Sequence, residues 1–125
     1  IDAVEIDKAS YYQARENFEE SPWKERLKIF HSDILQFDPG KKYDCIISNP
    51  PFFEKDLKSD DDKKNAAKHD TALTLQQLLE AVIKYLEENG MFVVLLPYHR
   101  INYCIEEAEK AGLYLSKKVL VKQTK

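Results

Sequence analysis

Tyr43-Asp44-Cys45-Ile46-Ile47-Ser48-Asn49-Pro50-Pro51-Phe52 is the stretch on which the fold turns. Tyr43 to Ser48 is a short apolar run with β-branched residues, and two prolines follow that have no N–H to give to a ladder. A strand therefore ends at Asn49. Working backward, Ile1 to Ile6 and Leu27 to Phe30 read as two more strands. Between them Asp7 is a good N-cap for a helix over Lys8 to Glu20, with Tyr11, Ala14 and Phe18 on one face. Pro22 interrupts the chain, Trp23 to Arg26 can form a further turn, and Pro39-Gly40 punctuates the loop before Tyr43.

Working forward, Phe53 to Thr74 is a long polar stretch in which Asp60-Asp61-Asp62 precedes Lys63-Lys64. Loops of that length inside a domain are usually functional or disordered. Leu75, Leu78, Leu79, Val82 and Leu86 then fall at helical spacing, and Asn89-Gly90 is expected to stop that helix. Met91 to Leu96 is apolar throughout, as in a strand covered on both faces, and Pro97 ends it. Ile101, Cys104, Ile105 and Ala108 mark a last helix closed at Gly112, and Leu113 to Val121 reads as a fifth strand. Strands alternating with helices of this length predict an α/β fold with a mainly parallel sheet. With no internal repeat and no linker, residues 1–125 are expected to form one domain.

Composition narrows the function. The chain has 125 residues, 43% hydrophobic and 33% charged, which suits a globular domain with a modest core. No apolar run approaches the ~20 residues needed to cross a bilayer, so no membrane partner is expected and the cytoplasm is the default location. Cys45 and Cys104 have no Cys or His at ligand spacing; both are expected to be buried thiols, and no metal is expected. Nineteen Lys and Arg against 22 Asp and Glu give a net charge of −3, so contact with a nucleic acid needs a local patch. Lys55, Lys58, Lys63, Lys64 and Lys68 supply one, and nucleic-acid phosphates could order the stretch that carries them. An ordinary solvated loop is the competing reading.

In parallel sheets ligands bind at the carboxyl ends of the strands. Glu5, Asp33 and Asn49 all fall at such ends and are expected to gather on one rim. Glu5 could accept both hydrogen bonds from a ribose diol, or it could be a solvated strand-end charge. Asp33 could accept from an adenine amino group, or it could cap its own turn. The two prolines fix the backbone after Asn49 and leave the Pro50 carbonyl set in one direction. Together with the Asn49 side-chain oxygen it offers two acceptors to the hydrogens of one amino group, whose lone pair is thereby localised for attack on an electrophilic methyl. Phe52 offers a face on which a planar base taken out of its stack could rest.

The tetrapeptide Asn49-Pro50-Pro51-Phe52 after a strand resembles the signature of Rossmann-like methyltransferases that act on amino groups with S-adenosylmethionine. Val4-Glu5-Ile6-Asp7, Gln13-Ala14-Arg15-Glu16-Asn17, Ser21-Pro22-Trp23, Ala67-Lys68-His69 and Leu73-Thr74-Leu75 extend the resemblance over nearly the whole chain. With them it is similar to the bacterial tRNA1(Val) adenine-37 N6-methyltransferase family. That resemblance implies transfer of a methyl group from S-adenosylmethionine to the exocyclic nitrogen of an adenine in tRNA. It implies Glu5 at the cofactor ribose, Asp33 and Ile34 at the cofactor adenine, and Asn49, Pro50, Pro51 and Phe52 as the catalytic motif, with Asn49 also near the cofactor. Phe52, Phe53, Lys63 and Lys64 fall to the substrate; the pattern does not give the role of His69, which is expected to be a surface or loop-anchoring residue.

One departure matters. The family carries, ahead of the region matching Ile1, a strand and a Gly-rich turn for the methionine part of the cofactor. The glycines here, Gly40, Gly90 and Gly112, form no such turn. The chain is thus expected to be a piece of a longer protein with about half of the cofactor site. Alone it is expected to be inactive, and to self-associate through the strand edges that the missing strand would fill. Three alternatives stand beside the tRNA reading: methylation of a glutamine in a protein, methylation of DNA adenine, and a non-catalytic interaction module of the same fold.

Overall fold

The computed structural model describes residues 1–50 and 73–124, whose contacts divide into two compact units, Ile1–Lys41 and Lys42–Lys125. In the first unit, strand β1 (Asp2–Glu5) runs parallel to β2 (Lys28–His31), with Asp2 opposite Lys28 and Glu5 opposite His31. Helix α1 (Lys8–Glu20) makes the crossover, so the unit is a βαβ element of the expected kind. Its start is set by Asp7, whose carboxylate accepts the Ser10 N–H at 2.8 Å. It stops where Ser21 turns extended ahead of Pro22, which disfavours helical backbone in the residue before it. Lys24–Arg26 form one 3-10 turn before β2. Phe37 is buried and its ring tilts against Phe30 with centroids 5.2 Å apart.

In the second unit, β3 (Tyr43–Ser48) is parallel to β4 (Leu86–Val94), and α2 (Leu75–Tyr85) lies between them in sequence. The regular ladder pairs Cys45 with Met91 through Ser48 with Val94. Before it, Tyr43 pairs with Leu86, so the single residue Asp44 faces the four residues Glu87–Gly90. The Asn89-Gly90 break is real but does not end a helix. It falls in an irregularity inside β4, and α2 stops earlier, at Tyr85. A side chain at Gly90 would meet the Leu86 Cδ1 at 2.6 Å, so a larger residue there would have to displace the Leu86 side chain.

Leu75, Leu78, Leu79, Val82 and Leu86 are buried, as their spacing predicts, and form two clusters. One takes in Cys104 from α3 (Ile101–Lys110) with Phe92, Val94 and Leu96; the other takes in Ile46 and Phe92. Met91, Val93 and Leu95 point away from these clusters and are exposed, as are Cys45 and Ile47. This corrects two expectations. Within this unit β4 is covered on one face only, and Cys45 is not buried, because the alternation of a strand sends it to the face opposite Ile46. Cys104 is buried as expected.

Helix α3 ends in a Schellman motif: the Leu113 N–H reaches the Ala108 carbonyl at 2.8 Å, the Gly112 N–H reaches Glu109 at 3.1 Å, and Gly112 takes a φ of 91°. Leu113 packs on both clusters. The fifth strand expected over Leu113 to Val121 is not present, because Leu113 onward joins no ladder among the described residues. A strand is stabilised by its partner, and apolar alternation alone does not supply one.

Candidate active site

Glu5 and Asp33 share the carboxyl rim of the first unit. The ladder puts Glu5 opposite His31, and the Ser32 N–H continues it by donating to the Glu5 carbonyl at 3.1 Å, so Asp33 leaves β2 beside the end of β1. Both side chains are half-buried. Each carboxylate is steadied by a backbone N–H two residues on: Asp7 donates to Glu5 Oε1 at 2.9 Å, and Leu35 donates to Asp33 Oδ1 at 2.9 Å. The Asp33 carbonyl also accepts the Gln36 N–H at 3.0 Å, closing a turn in which Ile34 is half-buried. The capping reading of Asp33 is therefore realised. It does not use up the side chain, since among the described residues no donor reaches Oδ2 of Asp33 or Oε2 of Glu5.

His31 supports this rim, and its role is not legible in the sequence. Its Nε2 lies 3.1 Å from the Ile6 carbonyl, an acceptor, so that nitrogen carries the proton. Its ring stacks on Tyr11 of α1 with centroids 5.2 Å apart and planes 22° from parallel. Together these contacts tie the Glu5-Ile6-Asp7 link to β2 and α1. The Ser10 backbone N–H, first among several hydrogen bonds, holds the Asp7 carboxyl below its ordinary value.

Asn49 and Pro50 stand at the carboxyl end of β3 in the second unit. The Leu95 N–H donates to the Ser48 carbonyl at 3.1 Å, so the β3–β4 ladder holds up to the residue before Asn49. Asn49 is exposed and Pro50 half-buried. Pro51, Phe52, Phe53, Lys63, Lys64 and His69 lie outside the described residues. Two half-buried carboxylates on one rim, each fixed through one oxygen and with the other not engaged by a described residue, suit the hydroxyl and amino donors of a nucleoside. Asn49 offers a side-chain acceptor at the other strand end. Among the described residues no group of three His, Cys, Asp or Glu could hold a metal ion. A cleft of about 330 Å³ between Arg15, Phe18, Glu19, Lys24 and Ile29 opens at the amino end of β2, away from the rim.

The family model described as the methyltransferase small domain matches residues 1–108. The chain belongs to that methyltransferase family. Over 119 residues it is 44% identical to a tRNA1(Val) (adenine(37)-N6)-methyltransferase of Dyadobacter fermentans, covering 95% of this chain and 50% of that protein. A Flavobacterium johnsoniae protein of the same name is 40% identical over 126 residues, covering 99% of this chain and 54% of the relative. The chain thus spans about half the length of the curated relatives it matches. Among solved structures, a Thermoplasma acidophilum protein assigned as a methyltransferase superposes with a TM-score of 0.61 at 16% identity, over 98% of this chain and 47% of that one. That similarity shows the Rossmann-like fold and no more. No helix among the described residues is long and apolar enough to cross a membrane.

Proposed function

We propose that the protein to which this chain belongs transfers a methyl group from S-adenosylmethionine to the exocyclic N6 of an adenine in tRNA, in the cytoplasm, and that residues 1–125 are part of one catalytic domain. The observation that carries this reading is Asn49-Pro50 at the carboxyl end of β3 in a methyltransferase-family chain 44% identical to a protein of that named activity. S-adenosylmethionine, when bound, supplies a methyl group on a positively charged sulfur. Glu5 Oε2 accepts from its ribose hydroxyls, Asp33 Oδ2 accepts from its adenine amino group, and Ile34 lies against the adenine.

Asn49 Oδ1 and the Pro50 carbonyl accept the two hydrogens of the target amino group. The nitrogen then carries its lone pair out of conjugation, and the rate gain comes from positioning more than from acid–base chemistry. Pro51 completes the catalytic tetrapeptide, and Phe52 and Phe53 support the target base. Lys63 and Lys64 meet tRNA phosphates, so neutralising both is expected to weaken tRNA binding and flatten its salt dependence; an unchanged salt slope would remove them from the interface.

The test uses the full-length protein. Asn49→Ala is expected to lower kcat by about a hundredfold or more, by analogy with the loss of one oxyanion-hole donor, and to leave cofactor affinity near wild type. Glu5→Ala is expected to do the reverse, with its effect in the calorimetric affinity for S-adenosylmethionine. Equal loss of cofactor binding in Asn49→Ala would take Asn49 out of the catalytic role. An unchanged affinity in Glu5→Ala would reject its place at the ribose. Mass spectrometry of tRNA nucleosides from a deletion strain decides the substrate: N6-methyladenosine retained in full would overturn the tRNA assignment.

A further inference from the structure

The strand that carries Asn49 has a neighbour whose exit no motif describes. Because β3 and β4 are parallel, with Ser48 opposite Val94 and Leu95 bonded to Ser48, both strands leave their ladder on the same rim. From β3 the chain goes on as Asn49-Pro50; from β4 it goes on as Leu95-Leu96-Pro97-Tyr98. Leu96 packs into the core, and Pro97 takes an extended conformation whose carbonyl accepts the Arg100 N–H at 2.9 Å. That bond forms a 3-10 turn over Tyr98–Arg100. The turn is anchored from below. Arg100 is only 7% exposed and its guanidinium carbon lies 5.4 Å from the centre of the Tyr103 ring on α3.

Tyr98 opens this anchored turn, and the residue is 77% exposed. Among the described residues it belongs to neither apolar cluster. A large aromatic on an anchored turn, mostly exposed, presents a flat apolar face at little entropic cost. Any nucleobase can stack on such a face, whatever its sequence.

We propose that Tyr98 is a stacking platform for a nucleobase of the substrate beside the one held at Asn49 and Pro50. The inference rests on the reading of the protein as an RNA adenine methyltransferase and adds a positioning residue that the Asn-Pro-Pro-Phe motif does not contain. Tyr98 touches no reacting atom. Its contribution is to substrate affinity, and it resides in the ring, not in the hydroxyl.

The experiment measures steady-state kinetics of full-length wild type, Tyr98→Ala and Tyr98→Phe with tRNA. Tyr98→Ala is expected to raise KM for tRNA by about five- to 150-fold, the range for loss of one base–aromatic stack. Its kcat at saturating tRNA and its affinity for S-adenosylmethionine stay at wild-type values, and Tyr98→Phe behaves as wild type. A second readout needs no turnover. Tyr98→Trp adds a reporter whose fluorescence, taken as the difference from the unsubstituted full-length protein, is expected to be quenched when tRNA is added. An unchanged KM in Tyr98→Ala, an equal loss in Tyr98→Phe, or an unquenched reporter would each overturn the stacking role. Those results are distinct from failure of the parent reading, in which the wild type itself would methylate no adenine.

Discussion

Cys45 and Cys104 carry the same thiol in opposite surroundings. Burial pushes the Cys104 thiol up from its ordinary range, and the nearby Arg100 charge pulls only weakly the other way, so it stays protonated and inaccessible. Cys45 is exposed on β3. Iodoacetamide is therefore expected to label Cys45 in the native chain and Cys104 only after denaturation; equal labelling rates by peptide mass mapping would contradict the observed packing. Sequence alone assigned both thiols to the core, because an apolar run does not reveal which of its alternate residues meets a covered face. The strand-end rule expects Glu5, Asp33 and Asn49 on one rim; the structure has Glu5 and Asp33 at the strand ends of the first unit and Asn49 just after β3 of the second. What no sequence rule could supply is the detail that orients them: the Asp7 and Leu35 N–H groups, and His31 between Tyr11 and the Ile6 carbonyl.

The helices of this chain were legible because their signals are local. Asp7 and the stripe of α2 are read directly from spacing, and the structure returns Lys8–Glu20 and a buried Leu75-Leu78-Leu79-Val82 face. A capping box at Thr74 could have been read the same way. The Thr74 hydroxyl accepts the Gln77 N–H at 3.1 Å and the Gln77 side chain accepts the Thr74 N–H at 3.0 Å. Thr74→Ala is expected to cost about 1 kcal/mol in urea unfolding, and Thr74→Ser almost nothing; equal losses would mean that the hydroxyl does not cap. The two caps differ in acid. Asp7 has a carboxyl held below its ordinary 3.8, so its contribution is complete above that value and is lost as pH falls through the lowered one, whereas the hydroxyl of Thr74 does not titrate in this range. Strand Leu113–Val121 failed for the opposite reason: its existence depends on a partner, which is not local information.

At the scale of the molecule the two sheets are the decisive feature. Among the described residues β1 pairs only with β2, and β3 only with β4, so each sheet has two strands. Two-stranded sheets are marginal alone, and parallel strands are normally covered on both faces. Here Ile47, Met91, Val93 and Leu95 face solvent, with Val119, Leu120 and Val121 also exposed further along the chain. Unpaired edges beside exposed apolar side chains invite pairing with another chain. The isolated polypeptide of residues 1–125 is therefore expected to self-associate: light scattering should report a mass above 14.6 kDa that rises with protein concentration. Charge placed on the exposed face should oppose it, so Ile47→Lys with Val93→Lys is expected to shift the population toward monomer while circular dichroism keeps the helical signal of α1, α2 and α3. A wild-type chain that stays monomeric at every concentration would show that these edges and faces are satisfied within one copy. Oligomers unaffected by the two lysines would place the contact elsewhere, away from the face that Ile47 and Val93 share.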